Sequence, residues 1–360
     1  MSIDALRGLD MLIIIGGDRF LRQLGKLIGP ETQALADRQL EHAEWEGFYF
    51  YDLIFPLFLF LVGVVLPFSL GKIAASGAPR RSVYLRIARR TALLFALGLL
   101  SNGILDFQWS ELRVAGVLQR IALAYGFAAI IYLNTNRLGR IATFAAILLG
   151  YWALLSYVAP PGGTAGDFSK EGNLVGWVDR HFLPGKIYEA YYGFGDNEGL
   201  LSTLPAIATA LLGVFAGEWL RSSRRGGIKV LGLLLAGAAC VGLGWYWDRH
   251  FPIIKNIWTS SFVMMAGGWS LMLLALFYGV IDVIGWKRWA FPLVVIGANA
   301  ITIYVVPRFV DFNKIADFFF GGAIDLAAAV YQPVLITASI LLAKWVFLWF
   351  LYRHRIFLRV

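Results

Sequence analysis

The chain has 360 residues, of which 59% are hydrophobic and only 15% charged, whereas about a quarter of the residues of a soluble globular domain are charged. Water is therefore excluded as its main solvent. The formal net charge of +9 sits in short Lys and Arg clusters between apolar runs, a pattern that reports orientation in a membrane rather than a nucleic-acid partner.

Apolar runs of roughly 17 to 25 residues recur from end to end, the length that crosses about 30 Å of hydrocarbon at 1.5 Å per residue. They are rich in Gly, Ala, Leu and Phe and do not alternate with a period of two, which favours helices over a barrel. The expectation is an all-α integral membrane protein, a polytopic bundle of about ten transmembrane helices. Spans are placed at about 5–20, 52–71, 91–106, 114–133, 141–158, 201–220, 229–247, 259–282, 290–307 and 333–352. Met1 leads into Ser2-Ile3-Asp4-Ala5-Leu6-Arg7-Gly8 without a basic n-region, so the first span is expected to stay in the membrane.

Loops on one side hold Lys72, Arg80, Arg81, Arg86, Arg89 and Arg90, then Arg137 and Arg140, Arg221, Arg224, Arg225 and Lys229, Lys287 and Arg288, and finally Arg353, Arg355 and Arg359. Opposite loops carry Glu31, Asp37, Glu41, Glu44, Glu46, Asp106, Glu111, Asp167, Glu171, Asp179, Glu189, Asp196 and Glu198. The positive-inside rule puts the basic set and both termini in the cytoplasm. Two outer segments, about 21–51 and 159–200, exceed simple connectors and have the length of lids or binding loops. No internal repeat is visible, so residues 1–360 are read as one membrane domain.

Cys240 is the only cysteine, which leaves no intramolecular disulfide and no thiolate zinc site; no metal is expected. Four histidines exist. His42 lies at the outer edge of a span among Glu41, Glu44 and Glu46, with Asp52 ten residues on. An imidazole so placed fits proton transfer, and it equally fits a polar position in an interfacial aromatic belt. His181, His250 and His354, beside basic residues, read as solvated surface. Charged groups inside spans cost a few kcal/mol and are functional suspects. Asp10, Asp18 and Arg120 qualify; Arg120 fits either substrate contact or an ion pair with Asp52 or Asp10. Asn256, Thr259, Ser260 and Ser261 open the eighth span, and Asn299 lies in the ninth, together describing a polar interior. Arg86, Arg89 and Arg90 could meet an anionic ligand on the inner side, or lipid headgroups.

At these residues the chain resembles the heparan-alpha-glucosaminide N-acetyltransferase family in its bacterial form. The similar segments are Ser2 to Asp10, His42-Ala43-Glu44-Trp45-Glu46-Gly47 followed by Asp52-Leu53-Ile54-Phe55-Pro56, Gly116 to Ala122, Glu198 to Thr203, Asn256 to Ser261, and Gly297 to Ala300. The resemblance implies a multi-pass acetyltransferase of a bacterial inner membrane, moving acetyl from cytoplasmic acetyl-CoA to an amine or hydroxyl of an extracytoplasmic amino sugar or glycan. It carries the active histidine onto His42, and an asparagine of the lysosomal member onto Asp18, a departure in residue type. Asp52 or Asp18 would orient the imidazole. Arg86, Arg89, Arg90, Arg120, Asn256, Ser260 and Asn299 are the candidates for holding the donor. Membrane lipid is a partner by composition, and a homodimer is an assembly this reading admits. Two rivals remain: a secondary transporter using Asp10, Asp18 and Arg120 as a relay, and a non-catalytic subunit of an envelope-glycan complex.

Overall fold

A computed structural model describes residues 1–75, 79–188 and 193–358, with no side-chain description for 72–75. Ser76, Glu189, Arg359 and the Lys72 side chain therefore lie outside the described residues. The helices in chain order are α1 (Ser2–Leu12), α2 (Asp18–Ile28), α3 (Pro30–Gln39), α4 (Phe50–Ala75), α5 (Arg80–Ser101), α6 (Val117–Asn134), α7 (Arg137–Tyr157), α8 (Leu174–Phe182), α9 (Thr203–Arg221), α10 (Gly226–Trp247), α11 (Ser260–Phe277), α12 (Phe291–Ala298), α13 (Ala300–Val305), α14 (Phe312–Asp325) and α15 (Gln332–Arg353).

Among the described residues seven helices are long and apolar enough to cross a membrane: Phe50–Gly71, Val117–Asn134, Arg137–Tyr157, Thr203–Arg221, Gly226–Trp247, Ser260–Val283 and Gln332–Arg353. The chain is thus a polytopic helical membrane protein. The expected ninth span is a broken pair, Arg288–Ala298 and Ala300–Arg308, bent by 63°. The expected first and third spans are helical but do not reach that standard. The first is interrupted: α1 carries Asp4, Arg7 and Asp10, and then runs into a wide π turn at Ile13–Gly17 where Gly16 adopts φ 128°. A side chain at that φ is strained, so glycine permits the break. The third occupies the second half of α5, whose first half holds Arg80, Arg81, Arg86, Arg89 and Arg90.

The chain gathers into two compact units. The first comprises Met1–His42, Tyr49–Ile54 and Leu273–Arg359. Within it α1 packs on α12 backbone to backbone: a Cβ at Gly8 would stand 1.8 Å from Leu293 O, and one at Gly297 1.9 Å from Asp4 O. Apolar tails cannot drive such an association, so close contact of small residues supplies the dispersion energy.

The second unit comprises Ala43–Phe48 and Phe55–Met272. Here α4 and α9 use the same device, with Gly63 against Ala210 O and Gly213 against Phe60 O at 1.9 and 2.0 Å from the missing Cβ. A cluster of Tyr151, Leu155, Leu174, Val175, Phe251, Ile254 and Ile257 packs the segment around α8 onto α7. The residues just after His42 are tied into this unit. Trp45 Nε1 donates to Phe168 O at 2.8 Å, Gly47 N donates to Ile253 O at 2.9 Å, and Glu46 bridges Ile254.

Candidate active site

The site in the first unit begins with the N-terminus of α4. Asp52, in its first turn, accepts from Tyr49 N–H through Oδ2 at 3.0 Å, while Asp52 N–H donates to Tyr49 O at 3.0 Å. That is the reciprocal geometry of a capping box, with the carboxylate at the positive end of the helix. One oxygen is used as a cap. The other, Oδ1, lies 2.8 Å from His42 Nδ1. Asp52 is fully buried, whereas the His42 side chain is 24% exposed.

With Asp52 accepting, the imidazole places its proton on Nδ1 and its lone pair on Nε2. That tautomer is the one a general base or nucleophile requires. The strand of chain bearing His42 is fixed from α2, where Arg22 binds both Glu41 (2.8 Å) and the Leu40 carbonyl. Tyr51 lies against the imidazole, ring centroids 4.7 Å apart, and its hydroxyl reaches Asp18 Oδ2 at 3.5 Å.

Tyr51 and Asp18 also line a cavity of about 210 Å³ whose other walls include Gly16, Arg19, Asn313 and Lys344. Lys344 Nζ donates to Ile15 O at 2.6 Å, next to the π break. A helix opened inside a membrane exposes carbonyls that need donors, and a lysine projecting from α15 supplies one. The cavity thus presents two cations, one carboxylate and one amide beside the His42–Tyr51 pair.

The remaining sequence-derived candidates are placed as follows. Asn299 stands at the break between α12 and α13, where its Nδ2 donates to Ile356 O at 3.1 Å. Asp10 is fully buried, and neither of its oxygens has a hydrogen-bond partner among the described residues.

In the second unit, Arg120 is 1% exposed and is held by Ser202 Oγ and by Gly199 O at 3.3 Å, under the Trp258 ring at 5.0 Å. A hydroxyl and a carbonyl are the hydrogen-bond partners its own unit supplies, and Nε and Nη1 have no partner among the described residues. Ser260 Oγ is committed to Leu148 O at 2.7 Å, and Asn256 is buried beside it in sequence. Thr259 and Ser261 bond each other at 3.0 Å. Arg86 and Arg89 are exposed on α5, and Arg90 lies over the Tyr125 ring at 4.5 Å. His181 stacks on Trp177 and bonds its carbonyl.

No family model matches the sequence. The human heparan-alpha-glucosaminide N-acetyltransferase is 26% identical over 84% of the chain, and the mouse protein of that name is 26% identical over 74%. By sequence the chain is similar to the heparan-alpha-glucosaminide N-acetyltransferases. It spans about half the length of these curated relatives, 52% of the human and 48% of the mouse protein.

Sequence reasoning paired His42 with Asp52 or Asp18 as orienting acid; Asp52 is the one on Nδ1, and Asp18 sits behind Tyr51. It passed over Tyr51, Arg22, Arg19 and Lys344. Of these, Lys344 carried a legible signal, since a cation amid the apolar run of α15 is a functional suspect by default.

Proposed function

We propose that this chain is a transmembrane acetyltransferase that takes acetyl from acetyl-CoA on the cytoplasmic side and delivers it to the amine, or a hydroxyl, of an extracytoplasmic amino sugar of the glucosamine class. The observation that carries the reading is the His42–Asp52 pair: a buried carboxylate holding an imidazole tautomer whose Nε2 is basic. The names of the relatives supply the acyl-transfer class and the glucosamine acceptor. Residues 1–360 act as one such enzyme unit, with both termini and the basic loops in the cytoplasm, in a bacterial inner membrane.

In the direct route, Nε2 of His42 removes a proton as the acceptor nitrogen attacks the thioester carbonyl. The tetrahedral intermediate collapses by breaking the C–S bond, and the imidazolium returns its proton to the CoA thiolate. In the covalent route Nε2 itself attacks and the C–S bond breaks as the thiolate leaves; the acceptor then attacks the acetyl-imidazolium, the C–N bond to the ring breaks, and the freed Nε2 takes the acceptor's proton. Asp52 stabilises the cationic ring in both. Asp18 is placed to hold the acceptor as its ammonium form before deprotonation, and Arg19, Asn313 and Lys344 to bind its oxygens. On the donor side, Arg86, Arg89 and Arg90 offer cations to the nucleotide phosphates. In the second unit Arg120, whose Nε and Nη1 have no hydrogen-bond partner among the described residues, offers polar contacts to the pantetheine arm with Asn256 and Ser260; in the first unit Asn299 is a further candidate for donor contact.

A second reading has an observation of its own. Breaks at Gly16 and at Asn299, with unpartnered Asp10 buried in α1, are features that secondary transporters use for ion and substrate sites. Purified protein offered acetyl-CoA and glucosamine separates the two. The acetyltransferase releases free CoA thiol in step with N-acetylglucosamine, whereas a transporter leaves the thioester intact, and an intact thioester in folded protein would overturn the enzyme reading.

A further inference from the structure

We infer that the second unit contains a binding site for an anionic phospholipid, formed where the N-terminus of α7 meets the C-terminus of α9. A cavity of about 470 Å³ there is lined by Arg137, Ile141, Phe215, Glu218, Trp219, Ser222 and Arg224. Its charge is not balanced internally. Glu218 is already bound by Arg140, a nearly buried side chain whose guanidinium also lies over the Tyr132 ring at 4.7 Å. Arg137 and Arg224, both exposed, enter no ion pair among the described residues. Arg224 is instead held over the Trp219 ring at 4.8 Å, and Trp219 is fixed in turn by its Nε1–H bond to Lys229 O at 3.0 Å. The N-terminus of α7, capped by Asn136 accepting from Gly139 N–H at 2.8 Å, adds its partial positive charge beside Arg137.

The lining of the cavity is amphipathic. It combines two arginines and a hydroxyl with Phe215, Trp219 and Ile141; Ile141 is 45% exposed on α7, a helix long and apolar enough to cross a membrane. A headgroup phosphate between the guanidiniums, with an acyl chain along the apolar side chains, satisfies both at once. A free phosphate would leave the apolar side chains uncovered. The basic clusters put this end of the bundle on the cytoplasmic side, where anionic headgroups face juxtamembrane arginines. The inference is independent of the acetyltransferase reading, since it concerns different residues and is read without turnover.

Native mass spectrometry of protein extracted from phosphatidylcholine vesicles mixed with phosphatidylglycerol reads the site directly. Two headgroup-facing arginines should give a preference for the anionic lipid of about tenfold or more. Arg137→Gln with Arg224→Gln should abolish it, Arg137→Lys with Arg224→Lys should keep most of it, and an equal charge change at Arg225→Gln with Arg288→Gln should leave it in place. Equal loss in that last pair would overturn the proposal by reducing it to general surface charge. Displacement of the lipid by inorganic phosphate alone would overturn it in favour of a free-anion site, and displacement by acetyl-CoA would overturn it in favour of a nucleotide site.

Discussion

Two buried aspartates, one in each unit, are held in opposite ways. Asp52 presents one oxygen to the N–H that caps α4 and the other to a partly exposed imidazole. Asp196 is also fully buried, but it is gripped by Arg113 through Nε at 2.8 Å and through Nη2, with Glu198 sharing the same guanidinium. Its neighbour Asp179 accepts from Asp196 N–H and Leu200 N–H at 3.2 and 2.9 Å. A permanently charged fork and backbone donors lock the segment around α8 in place, whereas the partner of Asp52 is a partly exposed imidazole. Burial alone therefore does not distinguish the two carboxylates; the chemistry of the partner does.

The largest effect that sharpens this contrast is expected at Asp52. Asp52→Asn can present an N–H to His42 Nδ1, which favours the tautomer with its proton on Nε2 and removes the base. Turnover of acetyl-CoA with glucosamine should fall by about 10²- to 10⁴-fold with the helix still formed. Steady-state kinetics on the folded variant checks it, and loss of only a few-fold would mean that the pair is structural.

A smaller effect is expected one layer out. Asp18→Ala should raise KM for the amino sugar by about tenfold with kcat nearly unchanged, because removing one ammonium contact costs binding shared by ground and transition states. A fall in kcat at constant KM would instead place Asp18 in the proton transfer itself.

Asp179 provides the matching test on the locked side, with stability as the readout. Burial first, and then the charge of Asp196, raise its pKa from 3.8 to about 6, against the opposing pull of the Leu200 and Asp196 N–H groups. The folded protein thus binds more protons than the unfolded chain between these values, so Asp179's contribution is fully present below pH 3.8 and is lost as pH rises through 6. The shift corresponds to about 3 kcal/mol. Thermal unfolding in detergent should show wild-type protein losing stability from pH 4 to pH 7 relative to Asp179→Asn, by roughly that amount. Parallel pH profiles would show that the aspartate is ionised throughout.

Much of this architecture was legible in the sequence because hydrocarbon imposes length and apolarity, and α4, α6, α7, α9, α10, α11 and α15 satisfy both. The first span was harder because Gly16 interrupts it, and a single glycine does not announce a π turn. α14 was missed altogether; its Asp311 cap, accepting from Asn313 and Lys314 N–H, is a start signal that was open to reading. At the site, the spacing of His42 and Asp52 was visible, and the choice of Asp52 over Asp18 was not, because it depends on α4 beginning at Phe50 and turning Asp52 back toward Tyr49. Arg22 was invisible for the same reason, since its partners are brought near only when the chain after α3 folds back onto α2. Arg120 stood out in the sequence by its charge, while its hydroxyl and carbonyl partners are set by tertiary packing.

The central claim, that His42 moves the proton or the acetyl group, is tested most directly by one measurement: release of CoA thiol from acetyl-CoA by purified His42→Asn with glucosamine as acceptor. Asparagine keeps a hydrogen-bonding side chain toward Asp52 and removes the basic nitrogen. The account predicts a rate lower by about 10²- to 10⁴-fold or more, with acetyl-CoA still bound. Near-normal turnover by the folded variant would contradict it and move the chemistry away from the imidazole.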